Sequence, residues 1–371
     1  MLNVQKYLID NGVDSLKDNY GVIVKEYPYF NVYNYSQINS PKNDPITKEC
    51  RGLILANDEK FSVLCRSFDR FYNLGEADQK VDNIDNYTIL EKYDGSLINV
   101  WYNNFEEKWQ ASTRGTAYAE SETPYGNKFI DIIENKILGY SIDGYFERFV
   151  NYRENLTYIF ELIGPENRVV KPYKKPQLVL IGIRNRENGE YFTYDQMIFF
   201  HCFQMVYNED IELAQKYQFS SIDDIMKNLG EIDAMDEGYV LWNEKTGHRV
   251  KIKNPDYVAI HHLRNNGVLA PRNIVHLINA NEHEEYLSYF EEDREFFVPY
   301  INAYNKLREE VDRLWDNTKG IEDQKKFALQ VKDTPYASIL FSLRKGFTIK
   351  ECFDRMNIKK LTEIVEKIKE K

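Results

Sequence analysis

Short runs rich in β-branched and aromatic residues follow one another through the first 254 residues of this 371-residue chain, and then they stop. YNYSQI (33–38), RGLILA (51–56), SVLCRSF (62–68), YTILE (87–91), LINVWY (97–102), TYIFELI (157–163), QLVLIGI (177–183), GYVLW (238–242) and HRVKIK (248–253) each have strand length. Turn residues punctuate them, as at Glu187-Asn188-Gly189 and Lys245-Thr246-Gly247. One helical pattern intervenes between 120 and 151, where FIDIIENKIL spaces its apolar residues three and four apart. Past Asn254-Pro255 the texture becomes helical throughout: NIVHLINA, EYLSYFEEDREFFVPYINAYNKLREEVDRLWD and IKKLTEIVEKIKEK are charged, periodic and poor in turn signals. Helices of that kind bury one face against each other. The expectation is an α+β chain in two domains, β-rich over 1–254 and all-α over 255–371.

Composition narrows the function classes. Hydrophobic residues at 43% and charged residues at 29% describe a globular chain rather than a disordered one. The formal charge of −11 argues against a protein that coats nucleic acid, yet screening over about 8 Å leaves room for a local basic site. The 28 tyrosines and 21 phenylalanines suit either a β-rich core or surfaces on which bases stack, with core the default. Cys50, Cys65, Cys202 and Cys352 contain no C-x-x-C pair, which points to a reducing compartment without a disulfide framework or zinc knuckle. MLNVQKYLIDNG has no apolar signal core, and the longest apolar runs are far too short to span a bilayer. The cytoplasm is expected, with no membrane partner. No G-x-x-x-x-G-K-[ST] occurs, which disfavours P-loop chemistry.

Against that background the stretch EKYDGSL (91–97) poses a question. Lys92 and Asp94 at a glycine turn are explained as readily by a hairpin loop as by a covalent nucleophile. Supporting residues recur at strand edges. Strand alternation sends Lys251 and Lys253 to one face, roughly 6–7 Å apart. That arrangement is either a solvated strand face or a phosphate clamp whose anion offsets the repulsion. Glu161 should alternate away from Phe160 and Leu162, and Glu237 precedes the last hairpin. Arg51, Arg70 and Arg114 each sit at the start of, or just before, strand-like runs. Taken singly, each of these charges reads as surface.

Taken in order, ECRG, EKYDGS, FELIGPENR, DEGYV and VKIK resemble the five-motif core of the covalent nucleotidyltransferases, the superfamily of ATP-dependent ligases and mRNA capping enzymes. More narrowly, with RFYN and NRENGEY, the chain is similar to the RNA ligase 1 family of T-even phages over nearly all of the first domain. The resemblance implies an antiparallel-sheet nucleotidyltransferase (adenylation) domain followed by a helical domain that helps to select RNA. It places the adenylated lysine on Lys92, with Asp94 in the same motif. It places the nucleotide site on Tyr33, Arg51, Arg70, Glu161, Glu237, Lys251 and Lys253, and a tyrosine needed for activity on Tyr257. Arg70 and Arg114 stand where the T-even type has lysines, and Ser112 replaces a further lysine. Arg114 is nonetheless expected in the catalytic set. The family's acidic metal contact in the helical domain aligns with Glu284 or Glu285, where a solvated helix face is the competing explanation.

The implied reaction uses ATP and Mg²⁺ to join RNA bearing a 5′-phosphate to RNA bearing a 3′-hydroxyl, with cleaved tRNA as the family's typical substrate and a monomer as the expected state. An ordinary lysine, with a pKa of about 10.4, is protonated at neutral pH and cannot attack phosphorus. Cations such as Arg51, Lys251 and Lys253 would favour the free amine, whereas Asp94 and bound phosphates would oppose it. Rival readings are a GTP-dependent capping enzyme, a DNA ligase, which would be expected to carry an OB-fold after the last motif, and a non-catalytic RNA-binding relative. KPYKK (171–175) reads equally as a solvated loop or an RNA-backbone contact. His261-His262 is weak as a metal site, because consecutive side chains point apart.

Overall fold

Buried and partly exposed positions along the strands sort the first part of the chain into three sheets. The computed structural model describes residues 1–123, 125–149, 154–201, 209–261, 270–289 and 291–370. In chain order the first elements are α1 (Asn3–Tyr20), β1 (Val22–Glu26), β2 (Phe30–Tyr35), α2 (Pro45–Glu49), β3 (Arg51–Ala56), β4 (Val63–Cys65) and β5 (Tyr72–Asn73). Then come β6 (Thr88–Glu91), β7 (Ser96–Asn103), β8 (Lys108–Ser112), α3 (Phe129–Asp131, continued by a wider helical stretch Ile132–Leu138), α4 (Ile142–Phe149) and β9 (Leu156–Ile163). The unit closes with β10 (Gln177–Asn185), α5 (Tyr194–Phe200), β11 (Ile211–Leu213), β12 (Lys216–Tyr217), α6 (Ile222–Leu229), β13 (Gly238–Trp242), β14 (Arg249–Lys253) and α7 (Pro255–His261).

The sheets run β1-β2-β3-β4, β11-β10-β9-β7-β8 and β12-β6-β13-β14-β5. Pairing is antiparallel except for β10 with β11 and β14 with β5. The class expected from the sequence, α+β with antiparallel-rich sheets and helices after them, is the class observed. One face of the central sheet packs Ile98, Val100, Phe160 and Leu162 against Ile132, Ile137, Tyr145 and Phe146 of α3 and α4. Its other face carries Leu97 and Ile159 beneath Phe68. α1 covers the first sheet through Leu8, Leu16, Tyr33 and Leu53, and α6 covers the third through Ile225, Leu229 and Leu241. Burying large apolar side chains such as these contributes about 1.5–3 kcal/mol each before entropy is charged against it.

α2 matters because it delivers β3 to the site. Asp44 accepts from the Ile46 and Thr47 amides, and Pro45 begins the helix with its φ already suited to it. The helix ends at Cys50, immediately before Arg51. Glu49, in its last turn, accepts from the amides of Asn3 and Val4, tying α2 to the start of α1.

The chain divides into two compact units, Met1–Ile260 and His261–Lys371. The described residues of the second are helical: α8 (Pro271–Ala280), α9 (His283–Tyr289), α10 (Arg294–Thr318), α11 (Gln324–Val331), α12 (Ala337–Arg344), α13 (Ile349–Asp354) and α14 (Ile358–Lys369). Leu307 and Val311 of α10 are fully buried, as are Leu361 and Val365 of α14. No helix among the described residues is long and apolar enough to cross a membrane.

Candidate active site

β6 and β7, which flank Lys92-Tyr93-Asp94-Gly95, lie in different sheets, so the hairpin explanation fails. The Lys92 amide donates to the Gly238 carbonyl at 2.8 Å and continues the pairing of β6 with β13. Four residues later Ser96 pairs with Leu162 of β9. The segment is a crossing between two sheets. Gly95 is required there by close approach: a Cβ would lie 2.2 Å from the Leu162 carbonyl oxygen, so the pressure is backbone contact with β9 rather than the tight turn expected beside the nucleotide.

Asp94 fastens this crossing. Its side chain is 3% exposed, and Oδ2 accepts from the Val170 and Lys171 amides, each at 2.7 Å. Oδ1 accepts from the Tyr257 hydroxyl at 2.7 Å, and the Asp94 amide donates to the Tyr173 hydroxyl at 3.2 Å. With both oxygens engaged, Asp94 is a strut between the Lys92–Gly95 crossing, the 165–176 loop and α7. Tyr257, 2% exposed, supports it from α7, and Lys253 lies over the Tyr257 ring at 5.8 Å.

The charged centre assembles from four elements. Lys92 Nζ is 2.6 Å from Glu237, and Lys253 approaches the same carboxylate at 3.1 Å. Burial alone would push the Glu237 carboxyl up, but Lys92 and Lys253 hold it below its ordinary value. Glu161 shares a face with Leu97, its cross-strand partner, opposite the buried Phe160 and Leu162. Burial pushes its carboxyl up to about 7, with Lys92 opposing the rise and Glu237 adding to it.

A cluster of cations surrounds one phenol. Arg70 stacks on Tyr35 at 4.0 Å and Arg114 at 5.1 Å. Burial would raise the Tyr35 hydroxyl, but Arg114, Arg51, Lys251 and Arg70 together bring it below its ordinary value. Arg51 lies over Phe71 at 5.3 Å and Lys251 over the same ring at 5.4 Å. Arg51 Nη1 and Arg114 Nε are enclosed with no hydrogen-bond partner among the described residues, as donors awaiting an anion would be.

Tyr33, expected from the sequence at the nucleotide site, is elsewhere. It is fully buried beneath α1, its hydroxyl accepts from Asn31 at 3.5 Å, and burial pushes it up to about 12. A bulge lies alongside: Tyr33 pairs with Leu53 and Asn34 with Arg51, leaving Gly52 as the extra residue at φ 69°. Tyr35, two residues further along β2, is the tyrosine that meets the cations. The sequence reading missed Tyr35, and nothing in YNYSQI marks it out from Tyr33. Ser112, fully buried near Cys65, offers no polynucleotide surface. In KPYKK, Lys171 pairs with Asp236 at 2.6 Å and Lys175 with Asp210, so those side chains are spent on internal contacts. Glu284 is on α9 in the helical unit, 44% exposed and 3.7 Å from His283. Among the described residues no three metal-ligating side chains gather there or elsewhere. His262 lies outside the described residues.

A sequence profile described as RNA ligase matches residues 49–257. A chain from Autographa californica nuclear polyhedrosis virus, assigned as a bifunctional polynucleotide kinase/RNA ligase, is 29% identical over 365 residues, covering 94% of this chain and 50% of that one. This chain thus spans half the length of that relative. An RNA ligase of Rhodothermus phage RM378 is 24% identical over 391 residues, covering 86% and 85% of the two chains. Among solved structures, an archaeal ATP-dependent RNA ligase aligns at 12% identity with a TM-score of 0.48, over 93% of this chain and 81% of the other.

Proposed function

The chain belongs to the RNA ligase family, and from that premise we propose that it is an ATP-dependent RNA ligase working through a lysyl-adenylate on Lys92. The observation that carries the proposal is the pairing of one amine with a set of unsatisfied cationic donors. Lys92 sits at the crossing between two sheets, Lys92 and Arg51 both act on the buried Glu161, and Arg51 and its neighbour Arg114 present enclosed donors without partners among the described residues.

In the first step Lys92 leaves Glu237 and releases a proton to solvent, and its neutral amine attacks the α-phosphorus of ATP. A nitrogen–phosphorus bond forms as the bond to pyrophosphate breaks. Lys251, Arg51, Arg70 and Arg114 stabilise the charge that gathers on the departing phosphates, and Lys253 keeps Glu237 neutralised once Lys92 has moved. Next a 5′-phosphate of RNA displaces Lys92 and takes the adenylate. A 3′-hydroxyl then attacks that activated phosphate, and AMP departs with the electron pair. Throughout, Asp94 and Tyr257 hold the backbone beside Lys92 in place, a positioning role worth several orders of magnitude where reacting atoms must be aligned.

Mg²⁺ binds through one or two carboxylates together with substrate phosphates, not through an all-protein cage. Glu161 fits that mode: its carboxyl is coupled to Lys92, Glu237 and Arg51 by charge and not by a hydrogen bond from a described residue. The ion supplies neutralisation of phosphate charge when bound. Helices follow Asn254 among the described residues where an OB-fold is expected in a DNA ligase, which supports RNA as substrate. The helical unit is assigned to selecting that RNA, cleaved tRNA included. Free Cys50, Cys65 and Cys352 suit work in the cytoplasm, as a monomer.

Joining of 5′-phosphorylated single-stranded RNA, compared with DNA and nicked duplex and supplied with ATP or GTP, tests the proposal. Closure of RNA with ATP alone is expected. Preferential use of GTP, or sealing of DNA nicks ahead of RNA, would overturn it.

A further inference from the structure

The third motif is followed by a lysine that the reaction scheme leaves without a task. Lys171 Nζ is 2.6 Å from Asp236 and 3.5 Å from Glu91, and it lies 5.3 Å from the Tyr173 ring centre. Those two carboxylates occupy particular positions: Glu91 immediately precedes Lys92, and Asp236 immediately precedes Glu237. Lys171 is also fixed to the same assembly by its backbone, because its amide donates to Asp94. One residue therefore touches the neighbours of both partners in the Lys92–Glu237 pair and the strut beside them.

We propose that Lys171 is a positioning residue for the nucleotide: by offsetting part of the charge of Glu91 and Asp236, it reduces their repulsion of the phosphates that approach Lys92. This rests on the reading of Lys92 as the nucleophile. Consecutive Cα atoms are about 3.8 Å apart, so both carboxylates lie within about 10 Å of the charged centre. Glu91 and Asp236 have side chains 19% and 31% exposed, so the solvent screens them only in part. Burial by itself would lower the Lys171 ammonium; hydrogen bonding to Asp236 and the charge of Glu91 more than offset this, and the side chain stays cationic. Charge compensation beside Lys92 is the consequence we assign to this partly buried cluster. Loss of one positive charge at about 10 Å from a polyphosphate weakens its binding by roughly threefold.

The test is the ATP dependence of enzyme-AMP formation in the full chain. Lys171→Met is expected to raise KM for ATP about threefold and to change kcat less than about twofold. Adding Glu91→Gln and Asp236→Asn to Lys171→Met should bring KM back to the wild-type value or below it, and Glu91→Gln/Asp236→Asn alone, which leaves Lys171 unopposed, should give a KM no higher than wild type. An unchanged KM in Lys171→Met overturns the inference, and so does a defect that the two neutralising changes fail to restore, since that would be a packing effect. Lys92→Ala run in parallel separates the two readings. If Lys92→Ala is silent and Lys171→Met behaves as wild type, only this inference fails; if Lys92→Ala still forms the adduct, the nucleophile assignment fails and this inference with it.

Discussion

Replacing Tyr257 by Phe removes one hydroxyl and almost nothing else, and the structure says what that hydroxyl holds. It donates to Asp94 Oδ1 at 2.7 Å, in surroundings where Tyr257 is 2% and Asp94 3% exposed. A buried hydrogen bond to a charged group is worth about 1.5–3 kcal/mol. Two other donors, the amides of Val170 and Lys171, remain on Oδ2, so the segment keeps its fold but loses one of its anchors. If the whole of that energy is used to hold the Lys92 crossing in its reactive geometry, the rate falls by roughly 10- to 150-fold. The assay is single-turnover adenylation together with sealing of a preadenylated donor, the second expected to suffer at least as much as the first. Because Tyr257 acts through Asp94, Tyr257→Phe placed in an Asp94→Ala background should cost nothing further. Two defects that multiply, or a Tyr257→Phe enzyme at wild-type rate in both assays, would refute the strut.

Two further perturbations read other parts of the site. Glu161 has its carboxyl raised to about 7 in the folded chain, above its unfolded value, so its contribution to stability is complete below about pH 4.5 and is lost as pH rises through 7. The free protein should lose urea resistance between pH 5 and pH 8 by at most about 3 kcal/mol from this group, and Glu161→Gln should flatten that slope; parallel slopes for the two proteins would contradict the burial argument. Gly95→Ala would press a methyl group to 2.2 Å from the Leu162 carbonyl, a rigid backbone neighbour, and should destabilise the chain by about 1–3 kcal/mol while abolishing adduct formation. Wild-type denaturant midpoints would show that the two strands separate more easily than the geometry implies.

Local periodicity made part of this molecule legible and non-local pairing hid the rest. The strand runs and the helical texture after Asn254 gave the class, because burial on one face imposes periods of two and of 3.6. The same alternation put Lys251 and Lys253 on one face of β14 and turned Glu161 away from Phe160 and Leu162. Tyr33 was placed at the site by the resemblance and not by alternation; the fold buries it beneath α1 and sets Tyr35 among the cations. Nor could spacing tell that β6 and β7 lie in different sheets, since a short connector between strands ordinarily means a hairpin. Asp94 was read as a charge beside the amine, but its partners come from Val170, Lys171 and Tyr257, far along the chain, and they make it a strut. Lys171 was left between a solvated loop and an RNA-backbone contact for the same reason: Glu91 and Asp236 reach it only through the fold.

The central claim is a covalent bond between Lys92 and AMP, and peptide mass spectrometry tests it most directly. Purified protein given ATP and Mg²⁺ should carry the mass of adenosine monophosphate on the peptide containing Lys92, and Lys92→Ala, folded and equally exposed to nucleotide, should carry none. An adduct on a different residue, or its persistence in Lys92→Ala, would contradict the account.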